Sequence, residues 1–412
     1  MFRSESPYIE PGNRGSTAIP FSTSVIHPED RLLLLACRTL TETASRADLP
    51  LLLNHDLNWG YVVQRAKRLG VIPLLTRLLR GAAAGVVPDR VHQDLHAKHR
   101  RLIDRNVVLT AELLELAEMC DDLRVNCIPH RGPIAAVMLY EDLKLRGFTD
   151  LDLLVRRHEF PRLKEALLDR GFHLYPELPL SRERDYARLD YDWIFKNARG
   201  VYIDVRSAVL PRFFGRRLAA PGIWARSVVR ELGGREMLVM CPEDMLITMA
   251  AHASKHCWSR LDWVCDIACI LMRHPDLDWD QVAQRIQSTG TRRMVHVGLL
   301  LSFELLSAPV PPFMLDAAIR DETVLSLVHD VGRRFFSPVP PGPYRGVMEA
   351  GFHMRISERR RDQFCYLWRQ AFMPTVSDWD VIDLPRPLSF LYYVARPFRI
   401  AVKFLRRIFR DG

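Results

Sequence analysis

The chain has 412 residues, 48% of them hydrophobic and 26% charged, with a formal net charge of +9 and a pI near 9.3. That composition excludes a disordered or fibrous chain, and it suits a sizeable core divided over about two or three domains. The positive balance favours an anionic partner, whether nucleotide, RNA or membrane surface, without choosing among them. The start, Met-Phe-Arg-Ser-Glu-Ser-Pro, has no basic region followed by an apolar run, so no secretory signal is expected. The longest apolar runs, such as Leu32 to Ala36 and Val297 to Leu301, fall far short of the roughly 20 residues that span a bilayer. Eight cysteines lie scattered in hydrophobic surroundings, which predicts reduced, mostly buried thiols and a cytoplasmic location.

Residues 1–27 are rich in Pro, Ser, Gly and Thr without a sustained period and read as a loose arm. Over 28–120 apolar residues recur at three and four, from Leu32 and Leu35 through Val62, Ala66 and Leu69 to Leu113 and Leu116, which predicts an N-terminal helical domain. The pattern then changes. Val125 to Ile128 is short and β-like, Gly132-Pro133 follows, and Ile134 to Leu143 is helical, with Pro133 suited to a first helical position. Leu151 to Val155 reads as a strand, Glu159 to Arg170 as a helix ending at Gly171, and Phe172 to Tyr175 as a strand. Trp193 to Lys196 and Val201 to Val205 form a hairpin around Asn197-Ala-Arg-Gly200. Together these make a small α/β core over 121–235. Helical periodicity returns over 236–335, and 336–412 combines a Pro/Gly-rich connector with a basic amphipathic segment. The expected class is α+β: an α/β core with a mixed sheet, flanked by N- and C-terminal helical domains.

The chemistry is concentrated in Thr149-Asp-Leu-Asp-Leu-Leu-Val155. The period of two in a strand puts Asp150, Asp152 and Leu154 on one face and Leu151, Leu153 and Val155 on the other. In Tyr202-Ile-Asp-Val-Arg206, Asp204 stands in the same relation to Ile203 and Val205. If the strands are neighbours, three carboxylates converge, and their repulsion is a physical reason to expect a cation. Mg²⁺ takes few protein carboxylates and leaves room for waters and substrate phosphates, which suits a two-metal site. Spacing alone is weak, because Asp190-Tyr-Asp192 and Asp276-Leu-Asp278 share it, the latter placing Asp278 as an ordinary N-cap. Context separates them: His130-Arg-Gly-Pro133 opens a helix, whose free amides and positive end bind phosphate while Gly132 permits close approach. Arg131 and Arg146 are candidates for charge-assisted phosphate contacts, against the plainer alternative of solvated surface cations.

With these residues in view, Cys127 to Arg206 resembles the uncharacterised nucleotidyltransferase family of the polymerase β superfamily. The shared elements are Arg131-Gly before a helix, Tyr140-x-Asp142 near its end, Arg146 before the metal motif, Asp-Leu-Asp-Leu-Leu-Val, a helix ending in Arg-Gly-Phe172, and Ile203-Asp-Val205. Downstream, His252-x-x-x-His256-x-Trp258-x-x-Leu261, Asp266-Ile-Ala268 and Asp278-Trp279 extend the likeness to roughly residues 30–310. The resemblance implies that Asp150 and Asp152 bind two Mg²⁺ or Mn²⁺ ions and that Asp204 completes the first site and accepts the proton of an attacking hydroxyl. A nucleoside triphosphate such as ATP would be the substrate, with Arg131, Gly132, Arg146, Lys255 and His256 in its binding cleft. The chain departs from relatives at Gly132-Pro133, where Gly-Ser or Gly-Gly is usual, and at Asp204-Val-Arg206, where Asp-Leu-His is common. Pro133 offers neither N–H nor hydroxyl to a phosphate.

Other signals remain open at the level of sequence. His252 and His256 lie four apart near Cys257 and Cys265, but no Glu follows His252 and no Cys-x-x-Cys occurs, so packed histidines are favoured over zinc, with Asp266 orienting one of them. Leu388 to Arg410 is basic and aromatic, interrupted at Pro397. It suits weak contact with an anionic membrane surface or nucleic acid, or else a terminal helix that packs its aromatic face onto the bundle. The leading expectation is an NTP-using nucleotidyltransferase; a catalytically decayed nucleotide-binding module and an RNA or membrane-surface adaptor are the alternatives. The absence of a recognised RNA-binding motif favours a small-molecule or peptide acceptor over tRNA.

Overall fold

The structure, a computed structural model, describes residues 26–41, 48–80, 85–177, 186, 192–209, 220–337, 345–379, 381 and 384–408. The expected arm, apart from Ile26 and His27, most of the Pro/Gly-rich connector, Asp190 and the last four residues lie outside that set. The chain opens with helices α1 (Pro28–Arg38), α2 (Asp48–Leu53), α3 (Trp59–Leu69), α4 (Ile72–Leu79) and α5 (Asp89–Asp122). An α/β segment follows: β1 (Cys127–Pro129), α6 (Pro133–Tyr140), β2 (Leu151–Val155), α7 (Phe160–Asp169), β3 (His173–Leu174), β4 (Asp192–Lys196) and β5 (Tyr202–Arg206). The mixed five-stranded sheet has the order β1-β2-β5-β4-β3. Only the central pair, β2 and β5, is parallel; the other neighbours run antiparallel.

The elements expected over 125–206 are present, with ends displaced by a few residues. The hairpin β4–β5 closes at Lys196 opposite Tyr202. A further antiparallel hairpin, β6 (Val228–Leu232) and β7 (Arg235–Val239), follows α8 (Ala220–Arg226). Its turn is Gly233-Gly234, both at positive φ, a pair suited to a two-residue hairpin turn.

Helices α9 (Pro242–Lys255), α10 (Asp262–Arg273), α11 (Trp279–Thr289), α12 (Arg292–Leu306), α13 (Pro312–Ile319) and α14 (Glu322–Phe336) complete the second helical region. They do not form a core of their own. Leu32 to Leu35 of α1 and Leu74, Leu75 and Leu79 of α4 are buried in one apolar cluster with Ile267, Ile270, Val295 and Leu299. Side chains seal the seam: Arg38 Nε donates to Leu305 O at 2.8 Å and Thr41 Oγ1 to Leu306 O at 2.7 Å.

A second cluster lies between the sheet and α5, where Leu109, Leu113, Leu116 and Cys120 meet Leu151, Leu153, Val155, Ile203 and Val205. Leu154, on the opposite face of β2, belongs to the first cluster. The sheet is therefore covered on both faces, and every residue of β2 is buried. Helix α5 serves both cores, since its Val91 and Leu95 join the first. Midway along it, Asn106 donates to Leu143 O and Arg146 O at 2.6 and 2.8 Å, and a ring nitrogen of His99 lies 2.8 Å from Lys144 O. These bonds fix the loop that leads into β2.

The C-terminal portion is helical: α15 (Arg345–Ile356), α16 (Arg360–Phe372), α17 (Val376–Trp379) and α18 (Leu391–Ile408), which runs on through Pro397. Phe352 and Ile356 of α15 join the first core, although the sequence reading placed no core helix there. Among the described residues, the apolar stripe Leu391, Val394, Phe398 and Val402 of α18 is exposed rather than packed inward. Phe398 is 71% exposed, and among the described side chains of this helix Tyr392 is the buried large one. No helix among the described residues is long and apolar enough to cross a membrane.

Candidate active site

The two central strands set the site. Their parallel register pairs Asp152 with Asp204, Leu151 with Ile203 and Leu153 with Val205. The aliphatic partners fill the core beneath, so the alternating carboxylates are forced onto the other face. Oxygen atoms of Asp150, Asp152 and Asp204 all lie within 4.8 Å of one another, and these are the His, Cys, Asp or Glu side chains grouped closely enough to share a metal ion among the described residues. Asp152 is buried, whereas Asp150 and Asp204 are partly open. Three hard oxygen donors with open positions suit Mg²⁺ or Mn²⁺.

Two guanidinium groups balance the acids. Arg206 Nη2 lies 3.0 Å from Asp152 Oδ1 and 2.7 Å from Asp204 Oδ2, bridging the paired strands. Arg131 Nη2 donates to Asp152 Oδ1 from the other side. Burial disfavours the ionised form of Asp152, but Arg131, Arg206 and His130 outweigh it and hold the carboxyl well below the usual carboxylate range. Asp150 behaves oppositely: burial, and then the charge of Asp152, push its carboxyl up.

Gly132 occupies φ 62° and ψ −130° at the N-cap of α6, with Pro133 as the first helical residue. That conformation is open essentially to glycine alone. A Cβ there would lie 3.5 Å from Asp150 O, so the turn runs close beside the backbone of the acidic strand. Arg131, one residue earlier, is thereby aimed across the acids.

Helix α9 supplies a further wall. Arg131 reaches the ring of His252, which stands 4.7 Å from the His256 ring, centroid to centroid; Trp263 packs against both rings at 5.3 and 5.5 Å. Burial, reinforced by Arg131, holds the His252 imidazole well below its ordinary pKa and thus neutral, which leaves a ring nitrogen able to accept from the guanidinium. Lys255 sits in the last turn of α9 and His256 caps that helix. The reversal after it is tight, with Cys257 and Trp258 both at positive φ.

The structure brings Arg131, Gly132, Asp150, Asp152 and Asp204 together, with His256 reached through His252. Arg146 is placed otherwise than expected. Only 8% exposed, it forms a bidentate pair with Asp266, Nε to Oδ1 and Nη2 to Oδ2 both at 2.8 Å, and Tyr140 Oη donates to the same Oδ1 at 2.9 Å. Its charge is spent inside the protein, tying β2's lead-in to α10. Asp266 is likewise engaged with Arg146 and Tyr140, the observed partners in place of the histidine contact expected for it. Asp278 is an N-cap, accepting from Gln281 N at 3.0 Å. The eight cysteines form no disulfide; Cys265 and Cys269 are buried, which pushes both thiols up and makes them poor nucleophiles.

The residues that the sequence reading missed are Arg206, whose contact with both acids follows from its place two residues beyond Asp204 on the same strand face, and Trp263. Among curated proteins, none matches the chain. The sequence pattern of one family, described as uncharacterised nucleotidyltransferase, matches residues 55–307, a span that contains the three aspartates, Arg131, Arg206 and the α9 histidines. With more than half its length covered by that match, the chain belongs to the uncharacterised nucleotidyltransferase family.

Proposed function

We propose that the protein transfers a nucleoside monophosphate from a nucleoside triphosphate to a hydroxyl-bearing acceptor, with release of pyrophosphate. The observation that carries this reading is the convergence of Asp150, Asp152 and Asp204 on two paired strands in a chain of this family. Asp150, Asp152 and Asp204 would hold two Mg²⁺ ions, which when bound supply charge neutralisation for the triphosphate and a more acidic acceptor hydroxyl. In the reaction the acceptor oxygen bonds to the α-phosphorus as the bond from that phosphorus to the pyrophosphate oxygen breaks. The Asp204 carboxylate takes the acceptor's proton, an assignment that rests on the partly open position of Asp204 beside the fully charge-paired Asp152. Arg131 contributes a guanidinium at the glycine turn, where later amides of α6 serve in place of the N–H that Pro133 lacks. His256 and Lys255 are proposed to line the nucleotide side. A small hydroxylated molecule or a peptide side chain is the favoured acceptor.

The test is incubation of the protein with Mg²⁺, a panel of small hydroxylated molecules and peptides as acceptors, and each labelled nucleoside triphosphate in turn, alongside Asp150→Ala/Asp152→Ala. Acid-dependent binding and pyrophosphate release are expected for at least one nucleotide. Acid-dependent binding without release would reduce the protein to a nucleotide-binding module, and the absence of acid-dependent binding with every nucleotide would refute the reading altogether.

A further inference from the structure

Helix α18 is mounted with its polar face toward the protein. Arg396 Nη1 lies 2.6 Å from Asp378 Oδ2, Arg399 Nη2 lies 2.8 Å from Asp378 Oδ1, and Arg396 also donates to Thr375 Oγ1 at 3.0 Å and Gln370 O at 3.2 Å. Tyr392, one turn before Arg396, is buried beside them and receives the Leu384 N–H on its hydroxyl at 2.8 Å. Leu391, Val394, Phe398 and Val402 recur at three and four on the other side of the helix, and all are exposed, Val394 by 57% and Phe398 by 71%. This is the reverse of how an amphipathic helix ordinarily packs on a globular core. Neighbouring α16 exposes a second aromatic row, with Phe364 stacked on Trp368 at 6.2 Å.

We infer that this face docks on an anionic lipid surface. Charge decides the occupant. Within α18 the charged side chains are Arg396, Arg399, Lys403, Arg406 and Arg407, with no Asp or Glu. A second copy would set one such cationic helix against another, whereas anionic headgroups complement it and the acyl boundary accepts the apolar stripe. At 18 residues and about 1.5 Å per residue the helix is long enough to lie along an interface. Asp378, holding Arg396 and Arg399, fixes the apolar stripe outward in the unbound protein, so docking needs no refolding of the helix.

The experiment is co-sedimentation of the full chain with vesicles of phosphatidylcholine alone and of phosphatidylcholine carrying about 30% phosphatidylglycerol. The expected result is binding to the anionic vesicles, weak or absent binding to the neutral ones, and weakening by added salt. Val394→Asp/Phe398→Asp should lower the partition coefficient by at least about tenfold, since two apolar side chains no longer enter the interface. Both positions are solvent-exposed, so the melting curve should be unchanged. Lys403→Glu/Arg406→Glu/Arg407→Glu, which leaves the apolar stripe intact, should abolish the preference for anionic vesicles. Binding to neither vesicle, or undiminished binding by the Val394/Phe398 variant, overturns the inference. So does lipid-free self-association that this variant removes when no vesicle binding is seen, which would assign the face to a second copy of the chain.

Discussion

Arg206 is the residue on which the electrostatics of the acidic site turn. Its guanidinium touches both members of the Asp152–Asp204 register pair, and it is nearly inaccessible. Removing it leaves two adjacent carboxylates, one buried, with Arg131 as the remaining guanidinium on Asp152. Arg206→Ala should therefore destabilise the metal-free protein by up to about 3 kcal/mol, and Mg²⁺ should raise the melting temperature of this variant more than that of wild type; equal shifts in a thermal melt would show that Arg206 does not balance the acids. Gly132→Ala tests the backbone instead. No atom comes closer than 3.5 Å to the added Cβ, so the cost comes from φ 62° alone and should be about 1–3 kcal/mol in chemical denaturation. The three aspartates and Gly132 were readable from sequence because strand alternation and helix-start chemistry are local. Arg146 is the converse case. Its partner Asp266 lies 120 residues away, and no local pattern separates a cation that will be buried against a distant acid from one left free for phosphate.

Among the elements, the β2–β5 frame and its flanking helices follow from periodicity, while two pieces escaped it. The β6–β7 hairpin was signalled by Gly233-Gly234 between short apolar runs, yet its strands alternate weakly and only Leu232, Met237 and Val239 are buried. Helix α15 follows a proline-rich stretch and is anchored by few core residues. Helix α18 has the clearest amphipathic pattern, but periodicity reports which face is apolar and not which way it points. Asp378 sets that direction. Burial opposes its ionisation, but the Thr375 amide and hydroxyl, and then Arg396, hold its carboxyl below the ordinary value. A carboxyl depressed in the folded state stabilises it above the unfolded pKa, near 3.9, and that contribution is lost as pH falls through the lower folded value. Hydrogen-exchange protection of residues 391–402 should accordingly hold from pH 7 to about pH 4 and fall below it. In Asp378→Asn it should be reduced at pH 7 already, and tryptic cleavage after Arg399 should quicken; protection equal to wild type would mean that other contacts seat the helix.

At the scale of the molecule, the helices before and after the sheet act as one body, and a buried polar contact shows how tightly they are joined. Arg65 of α3 pairs with Asp30 of α1, Nε to Oδ1 at 3.1 Å, and the same guanidinium donates to Phe335 O and, at 2.8 Å, to Ser337 O at the end of α14. Burial pushes the Asp30 carboxyl up despite this partner, so its ionised form depends on Arg65. The family match from 55 to 307 runs through both helical regions, as expected if neither is an appendage. Arg65→Met keeps much of the side-chain volume but takes the guanidinium away from Asp30, which keeps the Tyr61 hydroxyl at 3.4 Å, and from two carbonyl groups. The loss should be about 3–5 kcal/mol, and it should fall on the whole protein. Denaturant transitions followed by far-UV circular dichroism and by tryptophan fluorescence should shift together and stay superimposed, because α1–α4 cannot leave without opening the core that α10 and α12 share with them. An early transition confined to the N-terminal helices would instead reveal two separable cores, and the cleft above Asp150 and Asp152 would then keep its α9 wall when those helices are lost.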